Sequence, residues 1–427
     1  MATLNKRAGQ STLSRDDIWQ FIAEARLALG VDGKRVLIII PDGTRSMPMP
    51  LFFELLQDEI AARASACDYL VALGTHPLMT EPQLSRLLGR SVRNGRCAGA
   101  RIFNHRWDRR ETFVEIGSIP GDQVSTISGG LLRDSIRVKI NRLVFDYDLV
   151  LICGPVFPHE VVGFSGGNKY LFPGISTGQM IHDTHWLGAL LGSYNIIGTH
   201  STPVRDLIDL AAAKLTVPVA CFVPVLKCNE VAGIYFGPAR EAWQIAAQHS
   251  AAIHIEWLER PFCRVLSVLP DLYEDLWTGA KGMYKVEPAL ADDGEVILYA
   301  PHITEASYTH KAFIDAIGYH CSEYFLEQWE RFACFPRAVI AHSTHLYGQG
   351  TYDSRSKLET GRIRVTLATG ISEERCRNLN LGYLNPKDIK LDAWHGREAE
   401  GIKLIPRAGE FLYRLRASAK LSHPTVK

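Results

Sequence analysis

The stretch of this 427-residue chain that is richest in reactive side chains runs from His159 to Gly174 and reads HEVVGFSGGNKYLFPG. Its glycine pair, Gly166 and Gly167, allows the backbone to approach a ligand closely, and Lys169 follows at once. A lysine on such a loop can present its amine as a nucleophile. The loop is not a P-loop, because the Gly-x-x-x-x-Gly-Lys-Ser/Thr spacing is missing. Taken alone, the pattern favours an ordinary loop lysine over a reactive one.

Histidines add to this chemistry. His182 and His185 are three residues apart, which on a helix places both imidazoles on one face at a spacing compatible with metal ligation. His105 follows a short apolar segment, and His76 closes another. A single histidine of this kind is more often structural than catalytic. Several at the ends of predicted strands in one half of the chain shift that balance toward function.

The elements that must position these side chains alternate between apolar runs and helical patterns. Arg35–Ile40 is a continuous β-branched run that ends in Pro41-Asp42-Gly43-Thr44-Arg45, and Tyr69–Leu73 and Leu149–Ile152 also end in polar loops. Buried strands that alternate with helices predict a mainly parallel, Rossmann-like α/β sheet. Ligands bind beyond the carboxyl ends of such strands, where these loops fall. Ser14 with Asp17 predicts a capping box that opens a helix.

The length of the chain predicts two α/β domains, with the active site in the cleft between them. We place the boundary near Glu259–Pro261, so that residues 1–261 form an N-terminal cofactor-binding domain and residues 262–404 a C-terminal domain. The segment of about 405–427 could pack on the first domain, and we expect a helix over Ala408–Leu415. Four further strands are predicted in the second domain: Cys263–Leu269, Glu295–Tyr299, Ala338–His342 and Thr366–Ile371.

Composition excludes several classes of protein. The formal net charge of +1 provides no global field that would attract nucleic acid or an acidic membrane. The nine cysteines include no Cys-x-x-Cys pair, which argues against a disulfide framework and against a thiolate zinc site. The N-terminus has no apolar signal region, and no run of about 18 apolar residues occurs. We therefore expect a cytoplasmic protein without nucleic-acid or membrane partners.

Together these pieces resemble the nickel-dependent lactate racemase family. The matching motifs are Asp42-Gly43-Thr44-Arg45, Gly74-Thr75-His76, Asn104-His105, His159 with Lys169 ten residues later, and His185 a further sixteen residues on. The resemblance runs from about residue 34 to the C-terminus, and the joint spacing of His159, Lys169 and His185 is its most specific part. It implies an isomerase, a racemase or epimerase that inverts C2 of a 2-hydroxy acid.

The resemblance also implies a cofactor: nickel in a pincer on pyridinium-3-thioamide-5-thiocarboxylic acid mononucleotide, made by cofactor-synthesis enzymes of the host. Lys169 is then the covalent tether, and His185 the single protein ligand to nickel, for which an imidazole is suited. His105 and His159 resemble the paired acid–base residues of the family. Each would handle the hydroxyl proton on one face of the substrate, while hydride leaves C2 for the cofactor and returns.

The resemblance assigns substrate binding to Asp42, Arg45, Trp277, Thr278 and Lys281. A guanidinium binds a carboxylate in bidentate fashion, and a lysine adds charge for a developing oxyanion. The structural alternative is that each cation forms a salt bridge, Arg45 with Asp42. Arg45 and Lys281 both stand in predicted loops, which favours substrate binding over this alternative. The resemblance is incomplete at one place. Lactate-acting members of the family carry an aromatic residue followed by Gln where this chain has Trp277 followed by Thr278. The substrate is therefore expected to be another 2-hydroxy acid, longer or polyhydroxylated.

Two other interpretations stay open at this point. His76, His105, His182 and His185 could form a zinc or manganese cluster of a hydrolase or lyase, although no His-Glu-x-x-His helix is present. Alternatively, Arg45 and Lys281 could bind small anions in a two-domain binding protein without catalysis, whose usual secreted context conflicts with the absent signal peptide.

Overall fold

A computed structural model describes residues 2–9 and 11–416. The chain forms two compact units. The first contains the chain up to Phe157, then Phe164–Ile181 and His200–Ile253. The second contains Pro158–Gly163, His182–Thr199 and the chain from His254 onward.

The strands are named in chain order. They are β1 Leu4–Arg7, β2 Arg35–Ile40, β3 Ala66–Val71, β4 Arg96–Cys97, β5 Ala100–Asn104, β6 Phe113–Ile119, β7 Ile136–Asn141, β8 Leu149–Cys153, β9 Pro158–His159, β10 Gly163–Phe164, β11 Val219–Lys227, β12 Glu230–Gly237, β13 Ile255–Leu258, β14 Phe262–Val268, β15 Leu290–Ala300, β16 Gly350–Asp353, β17 Leu358–Gly361, β18 Arg364–Thr369, β19 Gly382–Tyr383, β20 Ile402–Ile405 and β21 Leu412–Leu415.

The helices are named in the same way. They are α1 Arg15–Leu29, α2 Met49–Leu56, α3 Glu81–Leu88, α4 Gly121–Ser128, α5 Gly178–Leu191, α6 Ser193–Ile196, α7 Pro203–Ala212, α8 Ala239–His254, α9 Leu276–Gly279, α10 Lys281–Tyr284, α11 Lys311–Ile317, α12 Ser322–Glu327, α13 Trp329–Phe332, α14 Arg337–Tyr347 and α15 Glu373–Asn378. A 3₁₀ turn covers Gly167–Tyr170.

The first unit is built on an eight-stranded sheet with the order β1-β12-β11-β8-β2-β3-β5-β4. Its five central strands, β11, β8, β2, β3 and β5, are parallel, and antiparallel strands complete both edges. The predicted mainly parallel α/β sheet is therefore confirmed. Val36–Ile40 and all of β8 are buried, as expected of strands covered on both faces.

Local sequence signals explain several of these elements. Ser14 caps α1 in the predicted capping box with Asp17, and Gly30 ends the helix in the left-handed conformation. The helix α2 continues directly into a π-helical turn at Gln57–Ala61. Strand β1 was not predicted, because its polar sequence LNKR pairs with the edge strand β12 and alternates between exposed and partly buried positions.

The second unit contains a five-stranded parallel sheet with the order β19-β18-β15-β14-β20. Three of the four strands predicted here are confirmed as β14, β15 and β18. The strand predicted at Ala338–His342 is wrong, because this run lies in the helix α14. Residues Ala338–Leu346 are all buried, so the run shows no amphipathic period that would mark it as helical.

The C-terminal part of the chain also differs from the prediction. Leu412–Leu415 is not helical but forms β21, which pairs in parallel with β13 in the second unit. The described residues after Leu404 lie in this second unit, whereas residues 417–427 are outside the described residues. The division at Ile253–His254 precedes the boundary that we placed near Glu259–Pro261, and residues 158–163 and 182–199, assigned to the first domain, cluster with the second unit.

Among the residues that the structure describes, no helix combines the length and the apolar character needed to cross a bilayer.

Candidate active site

The topology of the large sheet creates a place for a ligand in the first unit. Strand β2, the first of the parallel strands in sequence, has β3 on one side and β8 on the other, so the chain direction across the sheet reverses beside β2. In open α/β sheets ligands bind at such a switch point, beyond the carboxyl ends of the strands. The loop after β2 carries Asp42 and Arg45, and the loop after β8 leads to Lys169.

These two loops lie close together within the first unit. The ring of Tyr170 packs on Gly154, where an added Cβ would come within 2.2 Å of it. Burial raises the pKa of Tyr170, and the charges of Arg45 and Asp42 act on the same hydroxyl, Arg45 lowering this pKa and Asp42 raising it. Tyr170, which follows Lys169, is therefore within electrostatic reach of Asp42 and Arg45, two of the predicted substrate-binding residues.

The carboxylate of Asp42 is held by two residues, Thr44 and His76. One carboxylate oxygen accepts hydrogen bonds from the N–H and hydroxyl of Thr44 at 3.0 and 2.6 Å, and the other lies 2.5 Å from Nδ1 of His76. Burial opposes ionisation of Asp42, but the charge of His76, these bonds and the charge of Arg45 outweigh it and lower its pKa. The Asp42 carboxylate is therefore bonded to Thr44 and His76, and does not form the simple salt bridge with Arg45 that was the alternative. His76, which we had not assigned to this site, is a member of it.

His105 is fully buried and held at both ring nitrogens. Its Nε2 donates to the carbonyl oxygen of Ser176 at 3.0 Å, and the Asn141 amide donates to its Nδ1 at 3.1 Å. Burial lowers the pKa of His105 to about 4, although the bond to Ser176 raises it. His105 is therefore neutral near pH 7 and fixed in the Nε2–H tautomer. Its predicted acid–base role stays a prediction.

The loop that carries Lys169 is clamped by two helices. Arg205, on α7, donates to the carbonyl oxygens of Phe164 and Gly166, the latter at 3.2 Å, and its guanidinium lies 4.0 Å from the ring centroid of Trp243. Trp243, on α8, donates to the carbonyl of Ser165 at 2.7 Å. Three successive loop carbonyls are therefore held by side-chain donors.

Arg205 is a costly residue at this position. It is 2% exposed and lies in the first turn of α7, where the helix dipole disfavours a cation. Burial lowers the pKa of Arg205 to about 10, while the charge of Asp209 raises it. Asp209 also accepts a hydrogen bond from the Asn168 side chain at 2.8 Å. A buried cation bonded to loop carbonyls indicates that the conformation of this loop is under strong constraint.

In the second unit, His159 stands next to a carboxylate. Nδ1 of His159 accepts a hydrogen bond from the Val161 N–H at 3.1 Å, and a carboxylate oxygen of Glu160 is also 3.1 Å from Nδ1. His159 is buried. We had not predicted a role for Glu160, although its position directly after His159 in the sequence was a signal.

The predicted nickel ligand, His185, lies on the helix α5, as expected, within the second unit. The pKa of His342 lies well below its usual range, mainly because the ring is buried. It is lowered further by the charges of His345, His310 and His185. These four imidazoles therefore form a group within the second unit. His182 has a structural role: its Nδ1 accepts from the Ala338 N–H at 3.4 Å.

The second unit also holds the predicted substrate-binding residues Trp277, Thr278 and Lys281. They lie on the short consecutive helices α9 and α10, and Asp275 caps α9 by accepting from the Thr278 N–H. The expectation that Lys281 stands in a loop is therefore wrong. The Thr278 hydroxyl lies 3.0 Å from the Asp275 carboxylate, and the Lys281 ammonium is 4.5 Å from the ring centroid of Tyr273.

Trp277 is placed between two imidazoles. The centroid of its ring is 3.9 Å from that of His342 in a stacked arrangement, and 4.6 Å from that of His310. His342 in turn contacts the Tyr319 hydroxyl at 3.5 Å. The charge of His185 also acts on His342, so the imidazole stacked on Trp277 is within electrostatic reach of the predicted metal ligand.

A multi-residue metal site has no support in residues 2–9 and 11–416. Within these ranges no group of three or more His, Cys, Asp or Glu residues is arranged to hold a metal ion. The interpretation that His76, His105, His182 and His185 form a zinc or manganese cluster requires such a group. A site with one imidazole donor from the protein does not.

Comparison with known proteins shows similarity to lactate racemases. Residues 15–195 match the model of the lactate racemase N-terminal domain. The chain is 26% identical to the lactate racemase of Thermoanaerobacterium thermosaccharolyticum over 296 residues, which are 65% of this chain and 63% of that protein. These matches support the resemblance of the chain to the lactate racemase family.

Two solved structures resemble the fold. A crystal structure of a Thermotoga maritima protein is 30% identical, with a TM-score of 0.87 over 96% of this chain and all of that chain. The lactate racemase apoprotein of Thermoanaerobacterium thermosaccharolyticum is 19% identical, with a TM-score of 0.72 over 97% of this chain and 100% of that chain. The second of these likenesses concerns the fold alone.

The clamp on the Lys169 loop generates a prediction for Gly167, whose φ is +59°. An added Cβ would lie 2.8 Å from Cβ of Trp243, so Gly167→Ala adds a clash to left-handed backbone strain. Gly33→Ala is the matched control, because Gly33 has a φ of +71° and nothing within 4 Å of an added Cβ. We expect about 1–2 kcal/mol of destabilisation for the control and about 1–3 kcal/mol more for Gly167→Ala in urea unfolding. Equal losses would contradict the clash.

Burial of neutral His105 generates a prediction about pH. Its folded pKa of about 4 lies below the ordinary value of about 6.5, so the unfolded chain takes up a proton that the folded chain does not. Stability must therefore fall as the pH falls from about 6.5 toward 4, by at most roughly 3 kcal/mol from this residue. His105→Gln should flatten this dependence in urea unfolding, whereas replacement of the exposed His395 should not. Equal slopes in both variants would contradict the assignment.

Proposed function

We propose that this chain is a racemase or epimerase that inverts C2 of a 2-hydroxy acid with a Lys169-tethered nickel-pincer nucleotide. The observation that carries the proposal is the clamped loop, in which Tyr170, the residue after Lys169, is within reach of the charges of Asp42 and Arg45. The similarity to lactate racemases supports the same conclusion. The cofactor, a pyridinium mononucleotide, has to be supplied by cofactor-synthesis enzymes of the host.

The residues present fit this group. A mononucleotide suits the carboxyl edge of a parallel sheet, and the Gly166-Gly167 pair keeps the backbone beside Lys169 without side chains. His185 would hold the nickel ion, because an imidazole is a suitable donor for nickel. When bound, the cofactor provides a pyridinium ring that accepts and returns hydride.

The side chains of the protein then bind the substrate and move its hydroxyl proton. Arg45 and Lys281 supply positive charge for the substrate carboxylate and for the oxygen at C2. His105 and His159 are the two acid–base residues, one for each face of the flat 2-keto acid. For inversion, one imidazole takes the hydroxyl proton and the other returns a proton to the opposite face.

The two histidines are not equivalent in this scheme. His105 has Asn141 as donor on Nδ1 and Ser176 as acceptor on Nε2, so it can take up a proton only after one of these bonds is released. Its lowered pKa keeps the ring neutral near pH 7, so it holds no imidazolium proton to donate before it has taken one up. We therefore assign to His105 uptake of the hydroxyl proton in one direction of the reaction and its return in the other, with His159 in the opposite role each time.

The pocket around Trp277 supports a substrate other than lactate. The Thr278 hydroxyl is bonded to Asp275 and is shorter than the amide that lactate-acting relatives have at this place. His342, stacked on Trp277, and His310, tilted against the same ring, add polar edges that suit hydroxyl groups. We propose aliphatic or polyhydroxylated 2-hydroxy acids larger than lactate.

The test is a panel of 2-hydroxy acids deuterated at C2, followed by chiral chromatography and mass spectrometry with cofactor-loaded protein. The substrate should racemise or epimerise and largely keep its deuterium, because hydrogen leaves C2 and returns without exchange with water. Lys169→Ala is the inactive control. Rapid loss of deuterium would contradict the hydride route, and a clear preference for lactate would contradict the argument from Thr278.

A further inference from the structure

Nδ1 of His159 faces two partners with opposite requirements. The Val161 N–H, a donor, and a carboxylate oxygen of Glu160, an acceptor, each lie 3.1 Å from this nitrogen. His159 is 4% exposed, and the side chain of Glu160 is 17% exposed. Both partners follow His159 directly in the chain, so they compete for one ring nitrogen in a place with little water.

Each partner selects a different form of the ring. When Nδ1 accepts the Val161 N–H, the neutral ring carries its proton on Nε2 and has no lone pair there with which to take up another. When Nδ1 is protonated and donates to Glu160, Nε2 of the neutral ring has a lone pair, and the doubly protonated ring is an imidazolium beside a carboxylate. Only this second arrangement serves as a base in one direction and as an acid in the other.

We propose that Glu160 is a positioning residue that holds His159 in its reactive protonation state, whereas the Val161 N–H holds a resting state. The proposal rests on the acid–base role of His159 proposed above. In one direction the substrate hydroxyl gives its proton to Nε2, and the carboxylate balances the positive charge of the ring. In the opposite direction the imidazolium returns that proton to the oxygen at C2.

The surroundings of Glu160 favour this assignment. His345, the other imidazole on which the charge of Glu160 acts, is 3% exposed. Burial lowers the pKa of His345 to about 4, against the opposing effect of Glu160, so this ring is neutral near pH 7. Nε2 of His345 has no hydrogen-bond partner among the described residues. His159 is therefore the imidazole for which the Glu160 carboxylate provides a counter-charge.

The first test reads the tautomer without any turnover. In apo protein with ¹⁵N-labelled histidine, long-range ¹H–¹⁵N correlation spectra distinguish Nδ1–H, Nε2–H and imidazolium rings, and His159→Gln assigns the resonance. We expect wild-type His159 to populate forms with a proton on Nδ1, and Glu160→Gln to shift it to the Nε2–H form. Glu323→Gln is the matched control, because the Glu323 carboxylate accepts from the Tyr352 N–H at 3.0 Å, a backbone donor instead of an imidazole. Unchanged His159 shifts in Glu160→Gln would overturn the proposal.

The second test is kinetic and uses cofactor-loaded protein. Glu160→Gln should lower kcat by about 100-fold or more and leave KM within about threefold, because the amide cannot balance the charge of the imidazolium. Glu160→Asp should recover part of the loss, and Glu323→Gln should match the wild type. An unchanged kcat would overturn the proposal. A wild type that turns over no 2-hydroxy acid, but shows the ¹⁵N shift, would instead overturn the proposed function and leave the coupling of Glu160 to His159 in place.

Discussion

In a parallel sheet the carboxyl ends of all strands lie at one edge, and the site in the first unit depends on this constraint. Asp42 follows β2, His76 follows β3, His105 follows β5 and the Lys169 loop follows β8. These residues are distant in sequence but reach the same edge because the strands between them are parallel and adjacent. The hydrophobic effect that buries β2 and β8 therefore also assembles the polar groups.

The edge of the sheet alone does not fix the loop that bears Lys169. That loop contains two glycines with positive φ, so its unfolded ensemble is large and its ordering has an entropic cost. Arg205 and Trp243 offset this cost by holding three consecutive carbonyls. The buried guanidinium is itself unfavourable at a helix N-terminus, which indicates that a fixed loop matters more here than the stability of α7.

Strands and loops with strong local signals could be predicted from the sequence, and contacts between distant residues could not. The β-branched run of β2 and the capping box at Ser14 are local, and both were right. The segment Ala338–His342 was misread because a helix buried on all sides has no polar face. Arg205 and Trp243 carry no local motif, and only the fold brings them to the loop. The bond between Thr278 and Asp275, in contrast, was readable as a helix cap three residues apart.

The central claim is that the amine of Lys169 is the attachment point of the cofactor. The most direct measurement is intact-protein mass spectrometry, with nickel analysis, of wild type and Lys169→Ala produced together with the cofactor-synthesis enzymes. We expect that the wild type carries the added mass of the nucleotide and bound nickel, that Lys169→Ala carries no added mass, and that the variant stays folded. The same added mass on wild type and Lys169→Ala would contradict the claim.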